Sequence, residues 1–220
     1  MDYSNLEPIA FFSLLIRETE QRWSLSPISK KYKEPLYYSV CGTSIKRNKG
    51  VMFGLNWGGS NKPGDQYEPQ QSMPCDISDS DNYRFIHVQL PYLEEFLKIS
   101  SVDEINYSNL CFFRSSKISD LDEKDWDHSL ELFDIFINYV NPEWLIFTSI
   151  GTARVAKLFS LSGFRKIQER SFDQGNKMFT AYKGKYQNSI PMYTVPYPYR
   201  AGGISEETRY KIWHWLFNDE

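Results

Sequence analysis

Gly50-Val51-Met52-Phe53-Gly54-Leu55-Asn56, closed by Trp57-Gly58-Gly59-Ser60, is a short apolar run that delivers into a glycine-rich turn. A run of this length and character is a strand buried on both faces, and the glycines give the turn conformations closed to other residues. Two further runs have the same character: Asn106–Phe113, ending at Arg114, and Glu143–Ile150, followed by Gly151-Thr152 and a helix over Ala153–Leu161. Helices are predicted over Pro8–Trp23, Leu90–Ile99 and Asp125–Val140. In the last of these, Trp126, Leu130, Phe133, Ile137 and Val140 recur at helical spacing, and Pro142 ends it. Tyr37–Cys41, Lys177–Tyr182 and Met192–Val195 read as shorter strands. Ser205 caps a final helix, with Glu206 and Glu207 in its first turn and Ile212, Trp213, Leu216 and Phe217 on its apolar face. Strands alternating with helices predict an α/β fold: a three-layer α/β/α arrangement around a mainly parallel central sheet. Ligands bind such sheets beyond the carboxyl ends of the strands, so the loops after Leu55, Phe113, Ile150 and Val195 are where chemistry is expected.

The bulk numbers narrow the field. A chain of 220 residues suits one compact domain over 1–220 and is long enough to bury a substantial core. Its formal net charge of −3 gives no global basic footprint, which argues against a protein that coats nucleic acid by bulk charge. An enzyme touching a few phosphates through local groups remains compatible, with Ser44-Ile45-Lys46-Arg47-Asn48-Lys49 as a candidate patch or a solvated turn. Aromatic residues make up 16%, either as core or as stacking platforms for bases. Cys41, Cys75 and Cys111 form no C-x-x-C pair, so neither zinc nor an iron–sulfur cluster is expected, and free thiols in a reducing cytoplasm fit best. No signal peptide and no membrane-spanning run is read. Residues 61–83 form a long polar stretch rich in Pro, Gly, Asp, Ser and Gln. A loop of that length within a compact domain is usually functional or disordered.

Four segments, in order, resemble the uracil-DNA glycosylase superfamily. Gly54-Leu55-Asn56-Trp57-Gly58-Gly59 is similar to the G-[IM]-N-P-G motif of its mismatch-specific and single-strand-selective branches. Tyr107-Ser108-Asn109-Leu110-Cys111-Phe112-Phe113-Arg114 looks like the strand-borne segment whose Asn reads the base. Asn141-Pro142-Glu143-Trp144-Leu145-Ile146-Phe147-Thr148-Ser149-Ile150-Gly151-Thr152-Ala153 looks like the core strand and helix start, and Tyr193-Thr194-Val195-Pro196-Tyr197-Pro198-Tyr199-Arg200 is similar to the H-P-S-P loop. Each segment alone is unspecific; the ordered set carries the resemblance, which spans Gly50 to Arg200.

The resemblance implies a single uracil-DNA glycosylase-like domain that flips a nucleotide out of DNA and hydrolyses its glycosidic bond, with no metal, no cofactor and no membrane, as a cytoplasmic monomer. Asn56 would hold the attacking water; an amide is no strong base, so it would act by positioning and electrostatics. Asn109 would read the pyrimidine edge. Backbone N–H groups of Trp57, Gly58 and Gly59 would approach a base oxygen or phosphate. Tyr67 would stack on the flipped base, with Trp57 and Tyr83 as rivals. Arg114, Pro196, Tyr199 and Arg200 would contact DNA, Tyr199 or Arg200 as the wedge that fills the vacated stack. Against each stands a structural role: an Asx-turn for Asn56, a satisfied buried amide for Asn109, ordinary packing for the aromatics.

Two departures matter. Val195 stands where the family commonly has His, and Trp57 replaces the motif's Pro. That His stabilises charge building on the leaving base, and Val offers no hydrogen bond. His87, His128 and His214 read as structural. Three readings follow: a monofunctional glycosylase for uracil or another deaminated base, a catalytically silent base-binding module of the same fold, and a small-molecule nucleotide enzyme. The last lacks any phosphate-loop motif.

Overall fold

The computed structural model describes residues 3, 5–58, 68–74, 84–197 and 203–218, with backbone only for 84–87. In chain order the elements are α1 (Pro8–Leu25), β1 (Val51–Gly58), α2 (Arg84–Leu97), β2 (Asn106–Ser115), α3 (Glu123–Val140), β3 (Leu145–Phe147), α4 (Thr152–Ser160), β4 (Phe164–Gln174), β5 (Lys177–Tyr186), β6 (Ile190–Thr194) and α5 (Glu206–Asn218). The strands form a mixed sheet in the order β2-β1-β3-β6-β5-β4. β1, β3 and β6 pair in parallel, as the sequence predicts, whereas β6–β5 and β5–β4 are antiparallel. The fold class is α/β. Where the sequence reads as one domain over 1–220, the residues cluster into two compact units, each drawn from three stretches.

The first unit comprises Met1–Asn48, Gly54–Cys75 and Asn106–Asn141. Its core is the buried run Leu110–Phe113 of β2, covered by α3. Ser129 Oγ of α3 donates to Cys111 Sγ at 2.9 Å, and Phe112 meets Phe136 edge-on. On the far side of α3, Phe11 of α1 stacks on Tyr139 with ring centroids 3.7 Å apart. The predicted strand at Tyr37–Cys41 is instead an irregular antiparallel run against β2, with one bridge at Tyr38–Phe113. Ser39 donates to the Phe112 carbonyl and Gly42 to that of Tyr107.

The Gln70 amide ties the segment 68–74 to this run: Oε1 accepts from Val40 N and Cys41 N, and Nε2 donates to the Cys41 carbonyl. Burial there pushes the Cys41 thiol from 9.0 up to about 12. A raised pKa means that the folded chain keeps this proton after the unfolded chain has lost it. The stability that it represents is therefore complete below pH 9 and drains as pH rises toward 12. Urea denaturation at pH 8, 9.5 and 10.5 should show wild type losing about 1.4 kcal/mol per pH unit more than Cys41→Ala above pH 9. Parallel pH profiles would overturn this.

The second unit comprises Lys49–Phe53, Asp76–Ile105 and Pro142–Glu220. Val51, Met52 and Phe53 pair with Leu145, Ile146 and Phe147, and these in turn with Met192, Tyr193 and Thr194. β3 is shorter than predicted, and just beyond it the N–H and hydroxyl of Thr148 both donate to the Phe53 carbonyl. Helices cover both faces of this sheet. Phe159 of α4 meets Tyr182 of β5, while Trp215 of α5 meets Phe172 of β4 and sits under Lys183, the next residue of β5 and hence on the opposite face. β4 was not legible in the sequence: Arg165–Ser171 is exposed throughout and shows no alternation of apolar and polar residues. α2 starts at Arg84 and runs through Pro91, six residues before the predicted start. Ser205 caps α5 as predicted, its Oγ accepting from Thr208 N. Among the described residues no helix is long and apolar enough to cross a membrane.

Candidate functional site

The site is built at the end of β1, within the first unit. Asn56 is half-buried there, and its Nδ2 donates to the Trp57 carbonyl at 3.1 Å and to Ser115 Oγ at 2.8 Å. A carbonyl oxygen only accepts, so the bond to Trp57 fixes which amide atom is nitrogen. Both Nδ2 protons are thereby engaged. Oδ1 is left pointing away from these partners, and among the described residues no hydrogen bond reaches it. Ser115, 1% exposed, accepts from Asn56 and keeps its own hydroxyl proton to donate. A fixed acceptor thus stands next to a hydroxyl donor.

Ser115 is held by the turn that follows β2. Tyr32 Oη accepts from Ser116 N at 2.9 Å and donates to Asp120 Oδ2 at 2.6 Å. Burial, reinforced by that carboxylate, raises the Tyr32 pKa, so it keeps the proton that it donates. Trp57 lies beside the amide with its ring edge-on to Tyr107, centroids 5.5 Å apart, and the Arg114 guanidinium 5.9 Å from the indole centre. Arg114 spends one nitrogen on the Gly58 carbonyl and another on Ser39 Oγ, so it clamps the turn after β1 to the run beside β2. Gly58 is exposed, and among the described residues a Cβ there would meet nothing within 4 Å.

Not every residue singled out in the sequence joins this site. Asn109 lies in β2 six residues before Ser115, about 20 Å along an extended strand. It is 3% exposed, and no hydrogen bond to its amide is formed among the described residues. The structure therefore brings Asn56 to Ser115 and not to Asn109. Pro196, in the second unit, is buried; its carbonyl accepts from Gln89 Nε2 at 2.9 Å and Arg209 at 3.4 Å, which makes it an anchor of its loop. Val195 is fully buried and its N–H is taken by the Phe147 carbonyl. Tyr67, Tyr83, Gly59, Tyr199 and Arg200 lie outside the described residues. In the Ser44–Lys49 patch, Lys46 folds back onto Ser44 and Arg47 lies over the Tyr139 ring.

Ser115 was missed in the sequence, although the rule that chemistry gathers at strand ends would have reached it one residue past Arg114. Asn56, Ser115 and Trp57 carry no group that titrates near neutrality, and Arg114 stays cationic. Such a set can orient a water and bind a neutral polar edge; it cannot take up a proton strongly. Among the described residues no three His, Cys, Asp or Glu side chains gather as a metal cluster. No family model matches the chain, and no curated protein matches it.

Proposed function

We propose that the chain is a DNA glycosylase that hydrolyses the N-glycosidic bond of uracil or another deaminated base in DNA, acting in the cytoplasm without a cofactor. One observation carries the reading: the Asn56 amide is locked by two donated bonds so that Oδ1 alone is offered outward. An acceptor fixed in this way holds a water by one proton and aims its lone pair at the anomeric carbon. The C1′–N bond breaks, its electron pair leaving on the base; the water oxygen bonds to C1′, and its surplus proton passes to solvent. Ser115 supplies a hydroxyl donor beside that water. The buried thiols Cys41 and Cys111, neither of them in a disulfide, support a reducing compartment.

The test is excision from labelled oligonucleotides that carry uracil, hypoxanthine or xanthine, with alkali to reveal abasic sites. Wild type should generate abasic product from at least one of them. Because the Asn56 site holds no titrating base, the single-turnover rate should be level within about threefold from pH 5.5 to 9. A bell-shaped profile would assign the chemistry to a titrating group and remove Asn56 from the role.

A second reading has its own support in Val195, whose side chain and N–H are both consumed inside the second unit where a hydrogen-bonding residue would aid the leaving base. On that reading the chain binds a base without cleaving. Tight binding of the three oligonucleotides with no abasic product would establish it and end the hydrolytic one.

A further inference from the structure

Both acceptors that lock the Asn56 amide lead back to one guanidinium. Along the chain the Trp57 carbonyl comes between the Trp57 side chain and Gly58, and Arg114 meets each of them. Its guanidinium carbon stands 5.9 Å from the indole centre, and Nη1 donates to the Gly58 carbonyl at 2.8 Å. The other acceptor, Ser115, is the residue that follows Arg114 in β2. Nη2 of the same fork donates to Ser39 Oγ at 2.8 Å, and the Arg114 backbone N–H donates to the Tyr37 carbonyl at 3.0 Å. The guanidinium is thereby anchored to the run beside β2. That run also lies under the indole: a Cβ at Gly42 would come within 3.3 Å of Trp57 Cη2 and 2.4 Å of Tyr107 Cδ1, so the two rings need a glycine there. Trp57 is packed against Gly42, Tyr107 and Arg114.

We infer that Arg114 is a positioning residue for the Asn56 chemistry, spent inside the protein on the turn after β1 and not on a DNA phosphate. It acts by fixing where the Trp57 carbonyl and the Ser115 hydroxyl stand, and these two fix the amide. A planar fork with set donor directions suits that task, whereas a lysine ammonium is a single flexible point charge. A phosphate contact makes the opposite demand: there the charge matters most, and lysine also serves. The role rests on the hydrolytic reading of Asn56, through whose amide it operates.

The test compares wild type, Arg114→Lys and Arg114→Gln in single-turnover excision, in binding to a labelled uracil-bearing duplex from about 25 to 200 mM salt, and by NMR. Both variants should slow excision about 30-fold, lysine no better than glutamine, while affinity stays within about threefold and the salt slope does not move. A phosphate contact would instead flatten the slope by about 0.9 in Arg114→Gln and preserve rate and slope in Arg114→Lys. In the Asn56→Ala background, Arg114→Lys should change the rate less than about twofold, because the amide that it positions is gone; a merely structural residue would cost the same there. The NMR measurement needs neither DNA nor turnover. The Asn56 carboxamide protons, identified by their loss in Asn56→Ala, should exchange with water about tenfold faster in Arg114→Lys. Ser39→Ala, a milder change that removes one anchor of the fork, should speed them about threefold and serves where the Arg114 variants do not fold. Faster exchange with no abasic product even from wild type would leave the brace standing and remove the glycosylase reading. Exchange at the wild-type rate in any folded variant of this set would overturn the inference. So would a flattened salt slope, or the full rate penalty in the Asn56→Ala background.

Discussion

Asn56→Ala is expected to slow single-turnover excision about 100- to 1000-fold while binding to lesion-bearing DNA changes less than about threefold. The magnitude is that of losing one preorganised polar group at the reacting centre, about 2.7–4 kcal/mol. The asymmetry between rate and binding follows from the geometry. Asn56 Nδ2 is spent on the Trp57 carbonyl and Ser115, and only Oδ1 is turned outward. In the proposed reaction its contribution is to a water aimed at the breaking bond and not to holding the DNA. The control is Ser115→Ala, which removes the partner that fixes the amide but leaves the amide present; a smaller loss, about tenfold, is expected because the Trp57 carbonyl still restrains Nδ2. Melting should stay within a few degrees for both, since Asn56 is only half-buried and Ser115→Ala removes no apolar packing. Wild-type rates in Asn56→Ala would remove the amide from the mechanism. A parallel loss of binding and rate would make it a binding group.

Gly50→Ala is expected to be the most damaging conservative change in the second unit, lowering the melting temperature by about 6–12 °C. A Cβ at Gly50 would run into the indole ring of Trp144, a side chain only 8% exposed. The ring is rigid and enclosed, so the backbone must yield. That displacement strains the bond from Val51 N to the Trp144 carbonyl, with which the parallel register of β1 and β3 begins. Overpacking of this kind costs about 3 kcal/mol, which for a chain of this size corresponds to about 2–4 °C per kcal/mol. Pairing the change with Trp144→Leu should recover part of the loss, because the added methyl then has room. A double-mutant cycle by thermal denaturation should give a coupling of at least about 1 kcal/mol. Strictly additive single effects, or a shift under 2 °C in Gly50→Ala alone, would show that the contact is not the one that matters.

Chain-local signals settled much of this protein. The 3.6-residue recurrence along α3, the serine cap of α5 and the apolar runs of β1, β2 and β3 are properties of short stretches, so element type and order could be read directly. The same locality placed Asn56 at a strand end. Its partner could not be read that way, because hydrogen bonding across the fold depends on how far β2 has slid past β1 when Ser115 arrives. Motif order named Asn109, six residues earlier on the same strand, as the base reader beside Asn56 and said nothing of Ser115, to which the folded chain bonds the Asn56 amide.

The antiparallel pair β4–β5 shows the division most sharply. Arg165 and Arg170 are five residues apart, an odd spacing that puts them on opposite faces of a regular strand. The irregularity between Lys166 and Gln168 inserts one extra residue and restores both arginines to a single face beside Lys183 and Lys185. The amino-acid order by itself determined that positive charge is concentrated between Phe164 and Tyr186. Only the folded pairing decided that five of those charges stand on the face that also carries Phe172, against which Trp215 packs, because a β-bulge shifts the parity of every residue beyond it.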